Sequence, residues 1–338
     1  MADAGVVPSF TQVAEEQVDD IDAWLKGAHK PFVIRGLISD WPLVQAGLES
    51  PRAARAYLLD HRRDRAFTVN IGEPGAGERL FYDDAMGMNF RTGRASLNDI
   101  FAGIDANEDK PDAPAIYLSS VDVQGYFDGL HEANHVDLGT RYPIESIWIG
   151  TRTRIAAHND FPDNLACVAV GRRRFTIFPP EQYANLYLGP IDNTPAGRPV
   201  SMVDLHKPNL GKYPKFRDAL KVAQVAELEP GDAIFIPSMW WHHVEALDSF
   251  NVLVNYWWRD TPRFLGQPQD ALNHAILAVR DLPENEKQLW RQLFDHYVFG
   301  DPSTATGHIP EGARGILDPL DAETAGRVRA NLLRSLSR

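Results

Sequence analysis

The chain has 338 residues, 44% hydrophobic and 24% charged, enough apolar material for a sizeable buried core. A formal net charge of -12 sets its surface as a whole against phosphate backbones and anionic lipid, so nucleic acid is not an expected partner. The single cysteine, Cys167, excludes an intrachain disulfide and a cysteine-based zinc cluster.

In chain order, the spacing of Val13, Val18, Ile21, Trp24 and Leu25 predicts a helix over residues 10–30. A short buried strand, Phe32 to Ile34, ends at Gly36, before a turn closed by Trp41-Pro42. "SPRAARAYLLDHRRD" reads as a helix with Pro51 at an early position, and 96–106 as a second, short one. A further strand is expected around Tyr117. From about 143 to 258, short β-rich segments separated by Gly, Pro and Asp predict a sandwich or barrel. Within it, 181–225 shows little periodicity, as a lid or binding loop would.

After 260 the strands stop. "ENEKQLWRQLFDHYVFG" places Leu289, Trp290, Leu293, Phe294, Tyr297 and Val298 on one helical face, and a second helix repeats the idea with Val328, Leu332 and Leu336. Such faces must pack on the barrel or on another subunit, and a homodimer is expected. The expected organisation is an N-terminal elaboration over 1–110, a catalytic core over 111–260 and a helical region over 261–338. No apolar run approaches the length of a spanning helix, and the first residues have neither the basic start nor the apolar segment of a signal peptide. A cytoplasmic protein without membrane association is the expectation.

The chemistry starts at "AAHNDFPDNLACVAVGRRRFTIFPP", residues 156–180. On a strand, positions i and i+2 share a face, so His158 and Asp160 look into the barrel and Asn159 looks away. Two histidines and a carboxylate on one face suit a divalent first-row metal of the non-haem iron type. The third ligand is sought on another strand, and His242 in "EPGDAIFIPSMWWHHVEAL" is the best placed, with His243 pointing the other way unless a bulge intervenes. A 2-oxoglutarate bound at such a metal needs a cation for its far carboxylate, because an unpaired buried anion is costly. Arg173 shares parity with Phe175 and Ile177 and can point inward, while Arg172 and Arg174 face solvent.

These motifs, "H-x-D…N-L…G-x-R-R…FPP" and "PGD…IP…WWHH…VNYWW", resemble the cupin-like JmjC family of Fe(II)/2-oxoglutarate oxygenases, in particular the branch with the asparaginyl hydroxylase of hypoxia-inducible factor. The resemblance runs from "KPFVIRGLISDWP" to about residue 258 and more loosely beyond. It implies a mainly β fold: a double-stranded β-helix (jelly-roll, cupin) core with N-terminal α/β elaboration and C-terminal dimerisation helices. It implies His158, Asp160 and His242 as iron ligands and Arg173 as the residue holding the distal carboxylate of 2-oxoglutarate. Tyr117 would share that carboxylate, Asn164 and Asn255 would line the co-substrate pocket, and Trp257 would stand beside it. The implied reaction uses Fe(II), 2-oxoglutarate and O2 to hydroxylate a protein side chain or small molecule. Three departures stand out: Ile155 replaces a threonine, Arg173 a lysine, and Ser119 a glutamine used near the substrate.

Two other readings remain open. A cupin-like module could bind a small molecule or peptide with little turnover. "HEANH", residues 131–135, formally matches a zinc-peptidase pattern but sits between Gly129 and Gly139 and reads as a surface turn. Cys167 is expected to be a small buried hydrophobe, and His29, His61, His206 and His308, which lack partners in the sequence around them, to be surface groups.

Overall fold

Runs rich in Val, Ile and aromatic residues, bounded by Gly, Pro and Asp, pair into two sheets. The computed structural model describes residues 10–73, 75–108, 110 and 112–337, and the chain divides into one compact unit through Arg259 and another from Asp260 onward.

The first unit carries β1 (Thr11–Gln12), β2 (Ala14–Glu15), β3 (Phe32–Ile34), β4 (Phe67–Gly72), β5 (Arg79–Leu80), β6 (Phe90–Ala95) and β7 (Ile116–Asp122). There follow β8 (Ile144–Gly150), β9 (Thr153–Asn159), β10 (Asp163–Val170), β11 (Arg173–Phe178), β12 (Gln224–Leu228), β13 (Ala233–Ile236), β14 (Trp241–Ala246) and β15 (Asn251–Trp258). One sheet has the order β1-β12-β11-β14-β9-β5, the other β2-β3-β13-β10-β15-β8-β7-β4-β6. From β8 to β15 the chain passes repeatedly from one sheet to the other, the winding of a double-stranded β-helix.

The crossings depend on turns that only glycine makes cheaply. Gly171, between β10 and β11, has φ +70°, and a Cβ there would stand 2.5 Å from Asn251 Oδ1. Gly231, before β13, has φ +103°, and its Cβ would meet Ser39 Oγ at 2.6 Å. Between the sheets lie Ala166, Val168, Phe175, Ile177, Ile234, Ile236 and Leu253. A larger core, with Leu43, Leu58, Phe67, Ile104 and Cys167, fills the space under the N-terminal helices. Each buried side chain of this size contributes about 1.5–3 kcal/mol.

The long helix expected over 10–30 is not formed. Its helical part is Ile21–Gly27, capped by Asp20, which accepts from the Ala23 amide at 3.1 Å. Residues 11–15 instead pair with distant strands: β1 runs parallel to β12, and β2 parallel to β3. Two pairings across the fold outweigh a weak local preference, and Val13 between them is buried.

The 181–225 insertion is more ordered than its sequence suggests. It contains most of a 3-10 turn over Pro180–Ala184 and a helix over Phe216–Val222, and Leu186, Val203, Phe216 and Ala219 pack with Phe178 and Trp241. The second unit is helical over Pro268–Ala278, Glu284–Phe294, Pro302–Thr306 and Ala322–Leu336. Leu289, Trp290, Leu293, Phe294, Tyr297 and Val298 all stand exposed on it. No helix among the described residues is long and apolar enough to cross a membrane.

Candidate metal centre

Strands β9 and β14 are antiparallel neighbours, and His158 and His242 are directly opposed in their register. Their rings lie 4.4 Å apart, and His242 Nε2 is 3.6 Å from Asp160 Oδ2. One ligand atom from each of His158, Asp160 and His242 falls within 4.8 Å of the other two. The segment after β9 and the turn before β14 are tied together. Met239 N donates to Asp160 O at 2.9 Å, Ser238 N to Asp163 Oδ1 at 2.8 Å and Ser238 Oγ to Phe161 O at 2.5 Å.

Both imidazoles are oriented by the backbone. His158 Nδ1 lies 2.9 Å from Ala156 O and His242 Nδ1 lies 3.1 Å from Trp240 O, so each Nδ1 carries the proton and each Nε2 keeps a lone pair. Burial, reinforced by neighbouring His158 and opposed by Asp160, pushes His242 down to about 4, which keeps it neutral at physiological pH. A half-buried His158 and a buried His242, each oriented by a backbone carbonyl and standing beside a carboxylate, fit a divalent first-row metal.

The set is built on β9, the residue after it and β14 of the six-stranded sheet, and His158 and Asp160 line a cavity of about 450 Å³ whose walls come from both sheets. Arg173, on β11, reaches the same cavity and is 2% exposed. Its Nε has no hydrogen-bond partner, and burial lowers its guanidinium from the ordinary value. Tyr117, on β7 of the other sheet, also lines the cavity. Burial, against the field of Arg173, raises it to about 12, so its hydroxyl remains a donor. From β10 and β15, Asn255 Nδ2 donates to Asn164 Oδ1 at 3.1 Å, and Trp257 lines the wall with a buried, unpartnered Nε1. An unpartnered buried guanidinium nitrogen and indole N–H facing one space are donors arranged for an anionic ligand. Seven of the eight residues singled out in the sequence therefore line one cavity, and the eighth, His242, stands against two of them, His158 and Asp160. Arg172 and Arg174 lie outside it, paired with Asp248 and Glu227.

Three features needed the structure. Trp148 on β8 lines the cavity and donates from Nε1 to Asn255 Oδ1 at 2.7 Å, fixing which way that amide faces. The alternation of "IESIWIG" carried its signal. Ile155 also faces the cavity, three residues before His158, where a regular strand would turn it away. A register shift between β9 and β14 beside His243 restores the common face. Arg198, from the insertion, lies over the Phe161 ring at 3.4 Å and donates to Asn159 O at 3.2 Å, at the cavity rim. Nothing in its surroundings in the sequence points to that position.

The remaining motifs resolve differently. "HEANH" includes one helical turn, Leu130–Ala133, and His131 Nδ1 is taken by Glu145 at 2.6 Å, so no peptidase helix exists there. Cys167 is fully buried. In the fold, His61 Nδ1 meets Tyr57 O at 2.8 Å, and His206 Nε2 meets Glu245 Oε2 at 2.6 Å. Those acceptors lie one helical turn and 39 residues away, the second beyond local reading.

The family described as "Cupin-like domain" matches residues 19–264. Over 115 residues the chain is 37% identical to "Lysine-specific demethylase JMJ31" of Arabidopsis thaliana, covering 34% of this chain and 20% of that protein. It is 30% identical over 145 residues to human "HSPB1-associated protein 1" (41% and 28%). It is 34% identical over 134 residues to "tRNA wybutosine-synthesizing protein 5" of Danio rerio (39% and 38%). In each case the match spans well under half of the relative's length.

Proposed function

The chain belongs to the cupin-like JmjC family, and from that premise we propose that it is an Fe(II)- and 2-oxoglutarate-dependent oxygenase that hydroxylates a C–H bond of a protein side chain or small molecule. The observation carrying this reading is the shared cavity, with a His/Asp/His set on one wall and a buried, unpartnered arginine nitrogen within it.

His158, Asp160 and His242 would hold the iron and leave coordination positions for other ligands. Arg173 would bind the distal carboxylate of 2-oxoglutarate through paired hydrogen bonds, with the Tyr117 hydroxyl as a further donor. Asn164, Asn255 and Trp148 form a chain of side-chain bonds that holds one polar wall fixed. Leu80, Phe90, Phe175, Val244 and Leu253 supply apolar lining that limits water. Bound together, iron and 2-oxoglutarate supply the oxidising power that places one oxygen atom of O2 in the substrate, with succinate and CO2 as co-products. The printed names of the relatives include a lysine demethylase and a tRNA-modifying protein, so the substrate class does not follow from kinship.

The test needs no substrate. Protein loaded anaerobically with Fe(II) and 2-oxoglutarate should show the visible iron-to-keto-acid charge-transfer band, and Asp160→Ala should lose it. An iron-containing wild type with no band would refute the oxygenase reading and favour a cupin-like binding module.

A further inference from the structure

We propose a second divalent-metal site, on the outer face of the six-stranded sheet, held by His206, His243 and Glu245. Strand β14 alternates as its period requires. Val244 lines the inner cavity and His242 belongs to the inner His/Asp/His set, whereas His243 and Glu245 belong to a separate cluster with His206. His206 comes from the insertion. One ligand atom from each of the three residues lies within 4.8 Å of the others, as in the inner set.

His243 and Glu245 are each 4% exposed. His243 Nε2 is buried, has no hydrogen-bond partner and stands 3.7 Å from Glu245 Oε1, too far for a hydrogen bond. Ligand atoms about 2.0–2.1 Å from a tetrahedral zinc stand about 3.3 Å from one another, so this spacing closes with a small adjustment. The contact of His206 Nε2 with Glu245 Oε2, at 2.6 Å, would open by less than an ångström to admit the ion in place of the shared proton. Two imidazoles and one carboxylate suit zinc or a neighbouring divalent metal.

Of the nearby cations, Arg154 and Arg174 have carboxylate partners, whereas Arg79 keeps a buried, unpartnered Nη2. Arg154 pairs with Asp204 at 3.2 Å and Arg174 with Glu227, although Arg174 NH1 also approaches Glu245 to 4.0 Å. Arg79 lies 4.0 Å from Asp204. Asp204 further accepts from the His206 amide at 3.0 Å, which fixes the loop that presents the ligand. An ion here would staple the insertion to β14, and the same insertion lends Pro195–Arg198 to the rim of the inner cavity.

The experiment is a zinc titration of the metal-stripped full chain against a chromogenic chelator. Wild type should take two equivalents, Asp160→Ala one and His206→Ala one, with none in the double variant. His206→Ala removes the partner of buried Glu245, so the metal-free melting temperature is recorded beside the titration and the zinc stoichiometry is read on folded protein. Glu245→Gln should repeat the loss of one equivalent. If His206→Ala binds as much zinc as wild type, the site does not exist, and the cluster is a network of Glu245 with His206 and Arg174. If instead wild type takes one equivalent that survives Asp160→Ala but not His206→Ala, the outer site stands and the inner reading falls.

Discussion

Replacing Arg173 with methionine separates ligand binding from folding. The guanidinium is 2% exposed, with Nε unpartnered. Removing one member of a buried, hydrogen-bonded charge pair costs about 3–5 kcal/mol. At about 1.4 kcal/mol per tenfold, the lower figure already weakens 2-oxoglutarate binding about 150-fold. In a thermal melt with manganese in the inner site and 2-oxoglutarate at about 100 times its wild-type Kd, the ligand stabilises wild type by about 2.7 kcal/mol. The same concentration gives Arg173→Met only about 0.3 kcal/mol. A domain of this size moves about 2–4 °C per kcal/mol, so the ligand-induced shift should fall from about 5–10 °C to about 1 °C. Without 2-oxoglutarate, Arg173→Met should melt no lower than wild type, since an unpaired buried charge gives way to an apolar chain of similar length. An undiminished shift in the variant would refute the assignment of Arg173. A steep fall in the ligand-free melting temperature would mean that the guanidinium holds the fold.

Ile155→Thr adds a hydroxyl facing the cavity and should tighten 2-oxoglutarate binding about fivefold, near 1 kcal/mol, in a titration of the charge-transfer band; unchanged or weaker binding would count against it. Burial raises the Glu145 carboxyl, against the pull of His131 and Tyr256. Its stabilising contribution is therefore present below its unfolded value of 4.5 and lost as pH rises through the folded value. Glu145→Gln, which cannot ionise, should gain on wild type in urea unfolding between pH 4.5 and neutrality, and a pH-independent difference would dispose of the argument. The exposed apolar face around Trp290 and Leu293 is expected to be covered by a second copy of the chain. Light scattering should then give twice the chain mass, reduced to a monomer by Trp290→Asp with Leu293→Asp, and a monomeric wild type would exclude it.

What could be read from the sequence was whatever the period of a strand encodes. His158 and Asp160 share a face, His242 and His243 oppose one another, and Arg173 turns inward between two outward arginines, because side-chain direction alternates along one short segment. Features set by distant partners were not legible. The edge strands at 11–15 exist only because β12 and β3 offer them pairing. His206 is an unremarkable loop residue until Glu245, 39 positions on, comes beside it. Ile155 joins the cavity through a register shift that no single strand announces. The insertion hid its order for the same reason, since the partners of Leu186 and Phe216 include Phe178 and Trp241 of the barrel.

The direct opposition of His158 and His242 in the ladder also orders events in time. The two residues are 242 − 158 = 84 positions apart, so a chain still being synthesised carries the first pair of ligands long before the third exists. Closing that span costs loop entropy that β14 must recover by docking between β9 and β11. Until it docks, an incoming ion meets at most a histidine and an aspartate on a solvated strand, a weak and unselective site. On the proposed function, metal capture would be a late event that reports completion of the barrel, and the ion would act as a lock on a finished fold rather than as a seed for it.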